Sequence, residues 1–299
     1  MSDSPTSRRD YRAASKKGPE AAKASGTPKK AGRDLPAAIA VGCGLGAIVL
    51  VSLLIAKPLF IAVVTLGVSL GVWELIQALH SGRIVAPVVP TVLASVALVP
   101  AAYVAGPEGL SVAFALSCVV IVVWVAIESV HDGVNAIRDI AGGVFITAYV
   151  PLMAGLAVLL VAEPDGVSRI IVFILVTISS DIGGYAVGAT LGRHPMAPML
   201  SPKKSWEGFA GSVLSCVLVG VLSVVLLLDG AWWVGVILGI AVGCFATMGD
   251  LAESTLKRDL GIKDMGTLLP GHGGLMDRLD SLVMTIPVTF AVLTIFIAA

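Results

Sequence analysis

From Leu35 to the C-terminus, apolar runs follow one another with only short polar breaks, each close to the ~20 residues that ~30 Å of hydrocarbon asks of a helix. Inside a bilayer every backbone N–H and C=O needs an internal partner, so runs of this length and number fold as membrane-spanning helices. They fall at 35–56, 58–79, 84–105, 110–127, 140–162, 168–191, 208–228, 232–249 and 282–299, giving nine expected crossings. The expected fold class is therefore all-α, a polytopic integral membrane protein. With 57% hydrophobic and 13% charged residues, the chain has too little polar surface for a soluble domain of its size.

The few charges are unevenly placed. Nine of the 20 Lys and Arg residues lie in residues 1–34, a Ser, Pro, Gly and Ala-rich stretch without apolar periodicity that reads as a disordered basic tail. Domain organisation thus reduces to this tail and one multi-helix transmembrane domain, 35–299. A basic tail favours a cytoplasmic N-terminus. Counting from there, the cytoplasmic connections carry Arg83, Arg138, Arg193, Lys203, Lys204 and the polar stretch 249–281, whereas the opposite ones hold Lys57, Glu163, Asp165, Arg169 and Asp229. A polar active site facing the cytoplasm is expected. The four cysteines lie singly in apolar segments and suggest neither disulfides nor zinc. Glu74, Glu128, His80 and His131, near helix ends, read as solvated, and Trp232 and Trp233 as an interfacial belt.

Most of the remaining ionic chemistry sits in residues 249–281. Asp250, Glu253, Ser254, Lys257 and Arg258 follow i, i+3, i+4, i+7, i+8 spacing, one polar face if the eighth helix continues. After a turn containing Pro270, His272, Gly273 and Gly274, the residues Asp277, Asp280 and Ser281 repeat the i, i+3, i+4 pattern at the mouth of the ninth. Two acidic faces can then meet across a hairpin. Carboxylates at a membrane helix end need a cationic partner. Mg²⁺ suits them, because it accepts one or two carboxylates and completes its shell with water and substrate phosphate. The plainer reading pairs these acids with Lys257 and Arg278 at a solvated helix end. Asp181 is a further carboxylate, inside the sixth apolar segment with Tyr185 one turn on. Gly184, Gly188 and Gly192 there have the spacing that lets helices approach closely. The loop Ser201–Gly208 (SPKKSWEG) offers Ser201, Lys203 and Lys204 to phosphate oxygens.

These residues resemble the phosphatidate cytidylyltransferases, the CDP-diacylglycerol synthases. Ser254, Leu256, Lys257, Arg258, Lys263, Asp264, Gly266, Leu269, Pro270, His272, Gly273, Gly274, Leu275, Asp277, Arg278 and Asp280 occupy the family's C-terminal signature in register, sixteen positions of the 27 in 254–280. Residues 175–285 carry the resemblance; the first 170 share only their apolar helices. Two departures are visible: Ser205 where the family often has Thr, and Ile182 where it often has Thr after the aspartate.

The resemblance implies that CTP and phosphatidate give CDP-diacylglycerol and pyrophosphate, for phospholipid biosynthesis. It implies Mg²⁺ on Asp250 and Asp277, with Asp181 and Asp280 completing the acidic site; whether a monovalent cation joins it stays open. Asp181, Lys257, Arg258, His272, Asp277 and Arg278 are the expected catalytic residues. Ser201, Lys203, Lys204, Lys263, Gly273 and Gly274 are the expected substrate-binding ones. Partners are the two substrates and the bilayer, with a homodimer as the assembly and no nucleic acid. Two rival readings remain: a related lipid-phosphate nucleotidyl- or phosphotransferase with another acceptor, and a cation-coupled transporter using the same carboxylates. The absence of an internal repeat or inverted duplication weakens the latter.

Overall fold

The computed structural model describes residues 35–132, 136–198, 200–266, 268 and 273–297, all within the unit 34–299. The basic tail, and Leu269, Pro270 and His272 of the signature, lie outside the described residues. The elements run α1 (Leu35–Ile55), α2 (Lys57–Ser81), α3 (Val88–Asp132), α4 (Ala136–Thr147), a π-helical turn (Ala148–Leu152), α5 (Met153–Ala162), α6 (Gly166–Leu191), β1 (Pro195–Ala197), β2 (Ser201–Ser205), α7 (Trp206–Leu228), α8 (Trp232–Asp259) and α9 (Met276–Phe296). Seven helices among the described residues are long and apolar enough to cross a membrane, α4 to α5 counting as one. The chain is thus an all-α membrane protein with, among the described residues, one small hairpin, β1 pairing antiparallel with β2.

Three local features shape this bundle. The apolar part of α3 would be about 63 Å long if straight, twice the hydrocarbon thickness. It breaks at Gly106 (φ 62°, ψ −153°), a conformation open to glycine, and Pro107 starts the next helix where its missing N–H costs nothing. The two halves fold towards each other, since Leu93 and Ala97 of the first line one apolar cavity with Ala113 and Leu116 of the second. In the fifth apolar segment Pro151 removes a backbone donor, and the ladder widens into the π turn instead of kinking open. Finally, α8 continues ten residues past its expected end and α9 begins six residues before its own. The polar faces around 249–259 and 276–281 are helical, as their i, i+4 spacing requires.

Core packing is organised around α9. Its first half, with Met276 and Val283, packs with Val72 and Leu75 of α2 and Leu98 of α3. Its second half, with Ile286 and Leu293, packs with Val176 of α6, Cys216 of α7 and Leu238 of α8. Between lipid-immersed helices, close van der Waals packing and interhelical hydrogen bonds take over from the hydrophobic effect. Accordingly, α6 and α7 meet along Gly183, Gly184 and Gly188 facing Gly208 and Gly211, with Ser212 and Ser215 hydroxyls donating to the Ser180 and Ser179 carbonyls at 2.8 and 2.6 Å.

Arg169, counted from the sequence as a connection charge, is instead 2% exposed. Its Nε donates to Asp165 at 2.7 Å, and its terminal nitrogens donate to the Leu293 and Ile297 carbonyls at 3.3 Å each. A cation thus satisfies the last carbonyls of α9 at the negative end of its dipole. We expect Arg169→Ala to cost about 2 kcal/mol, read as a lower midpoint of thermal unfolding in detergent.

Candidate active site

The C-terminal ends of α6 and α8 and the N-terminal ends of α7 and α9 converge at one end of the bundle. A cavity of about 230 Å³ opens there, lined by Asp181, Gly184 and Tyr185 of α6, Lys204 and Ser205 of the hairpin strand, Gly208 and Ser212 of α7, and Asp250 of α8, among others. The glycines are structural, because a Cβ on Gly184 would lie 2.4 Å from Ser212 Oγ. Ile182 is 64% exposed and takes no part in the lining, so the hydroxyl missing there is not missed by the cavity. Ser205 keeps its hydroxyl as the N-cap of α7, accepting from the Gly208 N–H at 3.1 Å, which a Thr would do equally. The Ser201–Gly208 segment, expected as a loop, is part strand. Glu207 holds it in place by accepting from the Arg193 and His194 amides at 3.1 and 3.2 Å and contacting His194 Nδ1 at 2.6 Å.

Behind this cavity the two polar faces meet. Asp250 forms an ion pair with Lys204 through Oδ2 and accepts from Ser281 Oγ through Oδ1 at 2.8 Å. The same Ser281 hydroxyl lies 3.3 Å from Asp280 Oδ1, so one side chain of α9 links Asp250 to Asp280. The Glu253 carboxyl lies against Asp280, and its Oε1 is buried with no hydrogen-bond partner among the described residues. Asp181 lines the same cavity as Asp250 and Lys204.

Asp277 sits in a different set of contacts. Lys257 Nζ bridges Glu253 Oε2 (2.8 Å) and Asp277 Oδ1 (2.6 Å), so for Asp277 the pairing with Lys257 that the plainer reading expects is present. Asp277 also accepts from the Gly274 amide at 2.8 Å and the Met265 amide at 3.1 Å. The Gly274 backbone therefore does approach an anion, and the anion is the protein's own. Gly273, at φ 84°, makes the turn that brings this about. Arg258 and Lys263 are exposed, and Ser201 is half-buried. For Lys203 the structure gives its place in β2 and not its side chain.

Two residues of this neighbourhood carry no sequence signal. Tyr149, on the π turn, stacks on Phe145 (5.4 Å between centroids) and lies within electrostatic reach of Asp280, Glu253 and Asp250. Glu74, expected to be solvated, is 4% exposed and accepts from the Met276 amide at 2.9 Å. Both come from elements far away in sequence, where no spacing rule reaches.

As a set, five carboxylates (Asp181, Asp250, Glu253, Asp277, Asp280) meet three cations (Lys204, Lys257, Arg278), a formal excess that a divalent cation would balance. Among the described residues no three His, Cys, Asp or Glu side chains form a ready-made metal cage. Mg²⁺ does not need one, because it keeps several waters and takes substrate phosphate as ligand. The hard oxygen donors of Asp250 and Asp280, joined through Ser281, with the Glu253 carboxyl against Asp280, fit that ion.

The chain is similar over most of its length to proteins of one kind. The cytidylyltransferase family model matches residues 36–296. The phosphatidate cytidylyltransferase of Mycobacterium leprae is 37% identical over 284 residues, 90% of this chain and 90% of that protein. That of Mycobacterium bovis is 36% identical over 278 residues, 89% and 90% of the two chains. That of Synechocystis is 43% identical over 120 residues, 38% of each.

Proposed function

Because this chain belongs to the cytidylyltransferase family, we propose that it transfers the cytidylyl group of CTP to phosphatidate, giving CDP-diacylglycerol and pyrophosphate. The observation that carries this reading is the near full-length match to relatives named for that reaction. The chemistry of the site agrees with it. The phosphomonoester of phosphatidate has a second pKa near 6 and is largely dianionic at pH 7, so no strong base is needed to make it a nucleophile. One of its oxygens bonds to the α-phosphorus of CTP while the bond from that phosphorus to the β-phosphate oxygen breaks; pyrophosphate leaves with the electron pair.

The protein's task is then to hold two anions in line and offset their charge. Lys204, Lys257 and Arg278 at the acidic cluster, with exposed Arg258 and Lys263 and with Lys203, are the cations available for the triphosphate and the lipid phosphate. Asp250 and Asp280 would hold Mg²⁺, with Asp181 on the same cavity wall and Asp277 set apart on Lys257; bound there, the ion would supply electrophilic charge at the phosphates. The tight α6–α7 glycine contact and the Ser205 cap keep the cavity wall rigid, so that Asp181 and Lys204 stay in register.

For the membrane, we read the break at Gly106 as dividing α3 into two crossings, and Leu35–Ile55 as one more, making nine with the N-terminus and the site on the cytoplasmic side. The support is charge: counted from a cytoplasmic N-terminus, Arg83, Arg138, Arg193, Lys203 and Lys204 fall in the same set of connections as residues 249–281. CTP arrives there from solution while the acyl chains of phosphatidate stay in the leaflet.

The rival transferase reading differs in its acceptor. Purified protein supplied with labelled CTP and, separately, phosphatidate, lysophosphatidate or a polyprenyl phosphate is expected to form labelled lipid at least about tenfold faster with phosphatidate, a preference worth about 1.4 kcal/mol. A polyprenyl phosphate outpacing phosphatidate would replace this reading with the rival.

A further inference from the structure

The first residue of α9 is held by a side chain 202 positions away. Glu74, on α2, accepts the Met276 N–H through Oε2 at 2.9 Å. A helix of this length ordinarily caps itself with a local Ser, Thr, Asp or Asn. The N-cap position of α9 is Leu275, which has no side-chain cap. Glu74 does that work from another helix, and a carboxylate at the positive end of a helix dipole is the right charge for it.

The two described ends of the loop sit against this carboxylate. A Cβ on Gly266 would lie 2.4 Å from Glu74 Oε1, and one on Gly274 would lie 2.7 Å from Oε2. Among the described residues, the two loop glycines Gly266 and Gly274 lie against Glu74. Gly274 is also the residue whose amide binds Asp277, so Glu74 and Asp277 grip the same loop from two sides. The cost is visible as well: Glu74 is 4% exposed, and its Oε1 has no hydrogen-bond partner among the described residues. A merely space-filling position would be served better by Gln or Leu.

We infer that Glu74 is a positioning residue for the transfer reaction: through the Met276 N–H it fixes the start of α9, and with it the placement of Asp277 and Asp280. The inference rests on the cytidylyltransferase reading. It assigns a role in the site to α2, a part of the chain that the signature does not include.

The test uses full-length purified protein in detergent and compares Glu74→Ala, Glu74→Gln and Arg169→Ala with wild type. Arg169→Ala loosens the opposite end of α9 and so reports what general destabilisation does. Glu74→Ala is expected to lose about 100-fold in kcat, the order that a 1 Å misplacement costs, with KM for CTP moved by less than about threefold. Glu74→Gln retains an oxygen at the same reach and is expected to recover kcat to within about fivefold of wild type. Amide exchange across 264–277 should speed up in Glu74→Ala and not in the other two. If Glu74→Ala does not fold, Glu74→Asp, one methylene short of Met276, takes its place with the same expectations. The inference is overturned if kcat stays within about threefold of wild type in the variant lacking the contact, or falls equally in Arg169→Ala. It is also overturned if exchange across 264–277 is unchanged. Should wild type itself make no product, the cytidylyltransferase reading fails, while the exchange comparison still decides whether Glu74 orders the loop.

Discussion

Asp250→Asn is expected to lower cytidylyl transfer by about 100-fold or more while leaving the protein folded. Asn keeps an oxygen that can accept the Ser281 hydroxyl, so the α8–α9 contact survives. What is lost is the negative charge that pairs with Lys204 and that would help to hold a divalent cation. Lys204 is then a cation without its counter-charge at the cavity wall, free to bind the triphosphate in an unproductive place. The substitution should therefore lower kcat more than it raises KM for CTP, with thermal unfolding moved by less than about 1 kcal/mol equivalent. Activity within about threefold of wild type would remove Asp250 from the machinery.

The largest effect on stability is expected from Gly183→Leu. A Cβ at this position would lie 2.0 Å from Ser215 Oγ and 2.6 Å from the Gly211 carbonyl oxygen. Ser215 can turn aside, at the cost of its hydrogen bond to Ser179; the Gly211 carbonyl belongs to the backbone of α7 and cannot. The two helices must separate, and the wall that carries Asp181 and Ser212 separates with them. A loss above about 3 kcal/mol follows, read as failure to recover monodisperse protein or as a large fall in the thermal midpoint. Gly67→Ala is the matched control, because nothing lies within 4 Å of the added methyl. It should stay within about 1 kcal/mol of wild type, since Ala also favours the helix.

What the sequence makes legible here is whatever is periodic or local. Apolar runs announce helices because a bilayer allows little else, and the i, i+4 spacing of Glu253 and Lys257 becomes an ion pair at 2.8 Å. The hairpin contact of the two acidic faces is likewise present, although it joins Asp250 to Asp280 and Ser281 and leaves Asp277 with Lys257 and loop amides. That choice depends on side-chain direction around α9, which spacing alone leaves open. Contacts between distant segments are not legible. Glu74 reads as a solvated helix-end acid until α9 is placed over it, and Arg169 reads as a topology charge until the last carbonyls of α9 arrive beside it. Tyr149 lies on the π turn at Pro151, a local irregularity that the apolar run does not announce. The short strand in the SPKKS segment is similarly a product of its partner, Pro195–Ala197, and of the Glu207 contacts that seat it.

The central claim is that the bond broken lies between the α- and β-phosphates of CTP and that the α-phosphate stays with the lipid. It is tested most directly by giving purified wild-type protein phosphatidate, Mg²⁺ and CTP labelled either at the α- or at the γ-phosphate, and extracting the lipid. The account predicts α-label in the lipid, γ-label in released pyrophosphate, and neither outcome in Asp277→Asn, where the carboxylate facing Lys257 is gone. Label from the γ-position in the lipid, or no labelled lipid from well-folded wild type, would contradict it.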